Sequence, residues 1–295
     1  MYRTYYGLTR SPFEISPDPY FYFPTPRHNE ALVSLDYGVE RRKGFVVLTG
    51  EVGTGKTLVV RCFLDALNRK QLAFAYINNP RLSVLDFLAL VLKDLHLSFN
   101  ERTKSEMLSR LNDYLIGRSL TGATTALVID EAQLLSWELL EEIRLLTNLE
   151  TSQHKLLQIV LVGQPELDGM LDSPLLRQLK QRVSLRCHLK PLGLKELHGY
   201  IRQRLELAGA TSRNLSIFPK KTMEIIHKFS GGIPRLVNTL CENSLISGYN
   251  RQVKRITPQI VEEAASDLRL DPIASSFNSD SNGSGKRDQV LSPFR

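Results

Sequence analysis

Eight consecutive residues, Gly50-Glu51-Val52-Gly53-Thr54-Gly55-Lys56-Thr57, have the types and spacing to hold a chain of phosphates. The glycines let backbone N–H groups turn inward, where a Cβ would crowd the phosphate oxygens. Lys56 has the reach for the β- and γ-phosphates, and the Thr57 hydroxyl can take one position on Mg²⁺. A helix opening at Leu58 would add its positive N-terminal end. These features predict a Walker A loop that binds ATP with Mg²⁺, with Gly50 to Leu58 as its contact residues.

A second element tests the first. The run Ala126-Leu127-Val128-Ile129-Asp130-Glu131 reads as an apolar strand ending in two acids, the expected Walker B partner. Asp130 would hold the Mg²⁺, mostly through water, and Glu131 would polarise the water that attacks the γ-phosphate. An acid directly after Asp130 favours hydrolysis over passive binding, so an ATPase is expected.

The loop works only if a strand and a helix hold it. Phe45 to Leu48 precede it as an apolar run, and Leu58 to Leu67 follow as a helix-like stretch. Ala73 to Ile77 reads as a short strand, Val84 to Leu95 and Glu101 to Leu115 as helices, and the second Walker strand comes next. A full strand thus separates the two Walker strands in the chain, which marks P-loop ATPases with an inserted strand. Ser136 to Leu149 has helical apolar spacing, and Leu156 to Val162 is the next strand, ending in Gly163-Gln164. The alternation predicts an α/β fold with a parallel sheet and right-handed crossovers.

Strand signals stop near Gly193. Leu194 to Ala208, Lys220 to Phe229, Ile233 to Tyr249 and Pro258 to Leu268 predict four helices of an all-α lid. At the other end, residues 1–26 carry eight aromatics with Pro12, Pro17, Pro19, Pro24 and Pro26. The prolines oppose regular structure while the aromatics demand burial. An ordered wrap is expected, either covering the core or walling the adenine site, followed by a helix over Arg27 to Arg42. The expected domains are therefore 1–43 for wrap and helix, 44–192 for nucleotide binding, 193–270 for the lid and 271–295 for a disordered polar tail.

Composition sets the outer limits. No apolar run approaches the ~20 residues of a membrane span, and the start lacks the apolar core of a signal peptide. Cys62, Cys187 and Cys241 are odd in number and in no metal-like pattern, as reduced thiols of a cytosolic protein would be. A net charge of +7 suggests an acidic partner, nucleic acid or an anionic membrane surface. Arg177, Lys180, Arg182, Arg186, Lys190 and Lys195 fall in an acid-free stretch, and Lys220, Lys221, Arg251, Lys254 and Arg255 add to it. This charge is either a solvated face or a groove for duplex phosphates.

Gly50 to Thr57, Leu127 to Glu131, Gly163-Gln164-Pro165-Glu166-Leu167 and Gly231-Gly232-Ile233-Pro234-Arg235 together resemble the AAA+ superfamily. Further marks resemble its general secretion pathway protein A (ExeA) type: Tyr6-Gly7-Leu8, Ser11-Pro12-Phe13, Pro17-Asp18-Pro19, His28 with Glu30-Ala31-Leu32, Leu175 to Leu179, and Pro234 to Cys241. The resemblance implies a P-loop AAA+ sheet with a C-terminal helical lid. It implies Gln164 as the sensor that orients the attacking water, with a strand-capping amide as the alternative. It implies Arg235 as a second sensor reaching the γ-phosphate from the lid, against a plain helix arginine. Arg182, or else Arg177, is implied as an arginine finger presented to a neighbouring subunit, hence a nucleotide-dependent homo-oligomer.

Longer members of this type continue into a transmembrane helix and a wall-binding domain. These 295 residues contain neither pattern, so this chain is expected to act without a wall-binding part, in the cytoplasm or peripherally at the inner membrane. Three readings follow: an ATPase energising a secretion, pilus or export assembly; an ATP-dependent DNA-binding regulator of transposition or replication initiation; or an ATP-gated scaffold with little turnover.

Overall fold

A computed structural model of the chain describes residues 1–98, 103–152, 154–211 and 215–273. The expected disordered tail, beyond its first three residues, and the start of the helix expected from Glu101 lie outside the described residues. Five strands, β1 (Phe45–Gly50), β2 (Ala73–Ile77), β3 (Thr125–Ile129), β4 (Leu157–Gly163) and β5 (Leu185–Leu189), form one sheet in the order β2-β3-β4-β1-β5. Every neighbouring pair is parallel. All residues of β1, β3 and β4 are buried, as central strands covered on both faces require. Their side chains alternate between two cores. Phe45, Val47, Leu127 and Ile159 enter one, and Val46, Leu48, Val128 and Val160 the other.

The sheet goes beyond the sequence reading in two ways. The strand between the two Walker strands in the chain, β2, lies at an edge, and β4 is the one inserted between them in space. The sequence reading names no strand at β5, although Leu185, Cys187 and Leu189 alternate with Arg186 and His188 as a half-buried strand does. Its edge position, paired only to β1, tolerates that alternation. Leu185, Cys187 and Leu189 still join Ala31, Leu35 and Val39 in one apolar cluster.

Local chemistry starts the helices. The hydroxyls of Thr25, Ser83 and Ser136 each accept a backbone N–H of the first turn, and Thr103 makes a reciprocal box with Glu106. The C-terminal helices Leu194–Leu207, Lys220–Ser230, Pro234–Asn250 and Pro258–Asp267 pack around their own core, which includes Leu197, Leu240 and Leu245. Gly232 makes the turn before the third of these. Its φ is +77°, and an added Cβ would stand 2.0 Å from the Leu192 carbonyl oxygen. No other residue type fits that contact.

The N-terminal wrap is more regular than its prolines suggest. A helix covers Tyr2–Tyr6, ahead of the first proline, and a single 3₁₀ turn covers Pro19–Phe21. Tyr6, Leu8 and Phe13 are buried in the helical C-terminal core, with Phe13 edge-to-face on Phe218 at 5.8 Å. No described helix is long and apolar enough to cross a membrane.

Candidate nucleotide site

The strand register converges the chemistry. Thr49 pairs with Gly163, and Ile129 with Leu161, so β1, β3 and β4 end side by side. Their next residues are the glycine-rich loop, Asp130-Glu131 and Gln164. This is the carboxyl edge of the sheet, where open α/β folds bind ligands. The loop turns tightly, Thr54 donating from its hydroxyl to the Glu51 carbonyl at 2.7 Å. The helix Lys56–Arg69 begins directly after it.

Lys56 is 6% exposed and donates to the carbonyls of Gly50 at 2.7 Å and Glu51 at 3.0 Å. Burial pushes its ammonium below the ordinary lysine value, while Glu131, Asp130 and Glu51 hold it up. Asp130 is 3% exposed; burial raises its carboxyl above the ordinary range, against the Glu131 N–H that donates to it at 2.9 Å. Thr57 and Tyr76 donate to its other oxygen at 3.2 and 3.3 Å. Both charged groups are therefore under-solvated, as suits a site that receives an anion and a cation. One hydroxyl, Thr57, beside one carboxylate, Asp130, is a donor set that fits Mg²⁺ completed by phosphate and water oxygens.

Glu131 sits in a left-handed backbone conformation, φ +53°. Its carboxylate accepts from the side-chain amides of Gln133 at 2.6 Å and Gln164 at 3.4 Å. Gln133 also accepts the Gln164 backbone N–H at 3.0 Å, tying the ends of β3 and β4 together. Sequence reading does not single out Gln133; its place two residues after Glu131 is the only available signal.

Beside the loop lies an open cavity of about 380 Å³, a size suited to a small-molecule ligand. Gly53, Lys56, Thr57, Leu58, Glu131, Gln164 and Arg235 line it. Arg235 comes from the start of the helix Pro234–Asn250, and its backbone N–H donates to Gly53 at 3.2 Å. A Cβ on Gly53, whose φ is +82°, would stand 2.8 Å from that of Arg235. Residues 14–18 of the wrap line the same cavity, so the wrap both fills the helical core and faces the loop.

His28 is a further residue at the site, noticed in the sequence only as part of a helix stripe and a motif. Its Nε2 lies 3.0 Å from the Thr54 carbonyl oxygen, and its Nδ1 lies 2.6 Å from the Thr25 hydroxyl. Burial pushes its pKa below the ordinary imidazole value, so it stands neutral beneath the loop.

Two arginines stay away from this chain's own cavity. Arg182 donates to the side chains of Thr147 and Asn148, and Arg177 is exposed at the start of the short helix Arg177–Lys180. The basic stretch is also less free than its sequence suggests. Lys180 pairs with Asp172 at 2.9 Å, Arg186 pairs with Asp168 and Asp172, and Arg251 pairs with Glu263. Asp168 and Asp172 stand just before the acid-free stretch, and folding brings them back onto it.

Residues 39–171 match the AAA domain family. Over 269 residues, 91% of this chain, the sequence is 44% identical to general secretion pathway protein A of Aeromonas hydrophila. The chain spans about half, 48%, of that relative's length. Among solved structures, the fold is similar to Cdc6p of Pyrobaculum aerophilum, with a TM-score of 0.66 at 20% identity over 86% of this chain and 70% of that one. The ORC2 protein of Aeropyrum pernix gives 0.61 at 16% identity, over 88% of this chain and 73% of that one. The branch migration motor RuvB of Thermotoga maritima gives 0.55 at 20% identity, over 89% and 74%. At such identities the structural likeness concerns the fold alone.

Proposed function

The chain carries an AAA domain in a P-loop AAA+ fold and is similar to general secretion pathway protein A over nine-tenths of its length; from that premise we propose that it binds ATP with Mg²⁺ and hydrolyses it to drive assembly or remodelling of a secretion, pilus or export machine. The observation that carries this reading is the convergence of the buried Lys56, the Thr57–Asp130 pair and the Glu131 carboxylate on one cavity edge. Residues 44–192 supply the phosphate and catalytic groups, and 193–270 close over them as the lid through Arg235. Lys56 exchanges the Gly50 and Glu51 carbonyls for phosphate oxygens, which answers its desolvation. Thr57 and Asp130 would hold Mg²⁺, which neutralises charge on the phosphates. Glu131, oriented by Gln133 and Gln164, accepts the proton of the attacking water. An arginine of a neighbouring subunit, Arg182 or Arg177, would complete the site in a homo-oligomer at the cytoplasmic side of the inner membrane.

The test separates binding from chemistry. Lys56→Ala removes the loop's own cation and should abolish tight ATP binding. Glu131→Gln keeps the geometry, so it should bind ATP and lose turnover. Equal loss of affinity in both variants sinks the division of roles. A second reading, an ATP-dependent DNA-associated regulator, is favoured by Lys220, Lys221 and Arg255, which are exposed and make no ion pair among the described residues. Duplex DNA that raises the ATPase rate and shows a salt-dependent affinity selects it; no retention of DNA at low salt with ATP removes it.

A further inference from the structure

Residues 12–18 form a strap with few means of holding its shape, and its stretch 14–18 runs along the cavity. Pro12, Pro17 and Pro19 have no backbone N–H, so a hydrogen-bonded ladder cannot fix this stretch. Its carbonyl oxygens remain, and two guanidinium groups take them from different sides. Arg204, on the helix Leu194–Leu207, donates to Pro12 through Nε and to Glu14 through Nη2 at 3.5 Å. Arg61, on the helix that follows the phosphate loop, donates to the Pro17 carbonyl. Asn238, on the helix Pro234–Asn250, adds a donor to the Glu14 carbonyl at 3.4 Å.

Arg204 is an unusual group to find there. It is 5% exposed and makes no ion pair among the described residues. Its charge rests instead on neutral oxygens and ring faces. The Tyr200 hydroxyl accepts from Nη1 at 2.9 Å, and the Phe21 and Tyr200 ring centres lie 4.6 and 5.4 Å from the guanidinium carbon. Burying a cation without a carboxylate is costly, and packing alone would be better served by an apolar side chain. The planar fork of arginine can take two strap carbonyls while stacked on a ring, which a lysine cannot.

The strap also carries the right chemistry for a flat ring. Ile15 from the strap and Val52 from the phosphate loop are 54% and 50% exposed, and both line this cavity. We infer that Arg204 and Arg61 are positioning residues that set nucleobase selectivity by clamping the strap, from the lid and from the phosphate-loop helix, as the wall against the base. The inference rests on the cavity being the nucleotide site. It adds that base recognition depends on the lid's position, because one end of the strap is held by lid side chains and the other by the helix carrying Lys56.

The test compares dissociation constants for ATP, GTP and inorganic tripolyphosphate, each with Mg²⁺, on the full chain. Arg61 is exposed, so Arg61→Ala leaves the core untouched; Arg204→Met keeps the stem that packs on Phe21, and Arg204→Lys keeps the charge. Because each lost bond holds the wall and does not touch the base, ATP binding should weaken by about three- to tenfold in each, less than the full worth of a charge-assisted hydrogen bond. The preference for ATP over GTP should shrink by the same factor, and tripolyphosphate should change by less than about twofold, since phosphate contacts remain. Arg204→Lys should behave as Arg204→Met does. If Arg204→Met fails to fold, Arg61→Ala decides alone.

An unchanged ATP-to-GTP ratio in Arg61→Ala overturns the inference, as does a wild-type protein that does not distinguish the two. Equal losses for ATP and tripolyphosphate make Arg204 a phosphate contact instead, and also overturn it. A wild-type protein that binds none of the three probes removes the nucleotide site itself, a separate failure.

Discussion

Replacing His28 tests whether the glycine-rich loop is held from beneath. The imidazole is 6% exposed, with Nε2 3.0 Å from the Thr54 carbonyl oxygen and Nδ1 2.6 Å from the Thr25 hydroxyl. The same hydroxyl accepts the His28 backbone N–H at 3.2 Å and has its own proton for Nδ1. Nε2 therefore carries the ring proton and donates it to the loop. His28→Ala leaves the Thr54 carbonyl without that donor, at about 1–3 kcal/mol, and opens a space under Gly55. Together these should cost about 2–4 kcal/mol and lower the melting temperature by roughly 5–12 °C. If about 1.4 kcal/mol of this falls on the loop, the Kd for ATP rises about tenfold. His28→Gln, whose amide can still donate toward Thr54, should recover most of the affinity.

The pH dependence has a definite sign. Burial lowers the His28 pKa below the ordinary imidazole value, while the Thr54 carbonyl and Glu196 oppose the shift. Below about 6.5 the unfolded chain binds a proton that the folded chain resists, so this contribution to stability falls as pH falls. The acid-side decline should be steeper in the wild type than in His28→Gln. Melting curves and titration with a fluorescent ATP analogue between pH 5.5 and 7.5, roughly one unit either side of the ordinary imidazole value, measure both effects. A His28→Ala protein with wild-type ATP affinity and melting temperature at neutral pH refutes the reasoning.

Gly232→Ala should be among the most destabilising exchanges in the C-terminal helices, since a left-handed φ and a 2.0 Å approach to the Leu192 carbonyl both oppose a Cβ; we expect a loss above about 3 kcal/mol, and an unshifted melting curve contradicts it. Mixing Arg182→Ala with Glu131→Gln subunits should partly restore hydrolysis if the finger acts across an interface, because a wild-type Glu131 can then face a wild-type Arg182. Such a finger contributes about 10³ or more to turnover in related phosphoryl transfers. Specific activity that does not change with protein concentration, with no restoration on mixing, excludes it.

The glycine-rich loop is legible in the sequence because its requirements are local: glycines where a Cβ would crowd the backbone, and Lys56-Thr57 at fixed spacing within one helical start. The parallel sheet is legible for a similar reason, since strands buried on both faces read as mostly apolar runs in β1, β3 and β4, with Gln158 the break inside β4. β5 escapes because a one-sided edge strand has no such run, and its place beside β1 is set by pairing rather than composition. The wrap's aromatics and prolines announce burial without regular structure, and they leave open what is covered. Packing decides that Phe13 enters the helical core while residues 14–18 face the cavity. His28 lies 26 positions before Thr54 and Gln133 lies 31 before Gln164. Arg204 meets Pro12 across 192 positions, and Asp172 neutralises charges that look free along the chain. Residue type determines what each group can do, and it does so locally. Which groups meet depends on strand order, register and helix packing, and those exist only once the distant parts of the chain are buried against one another.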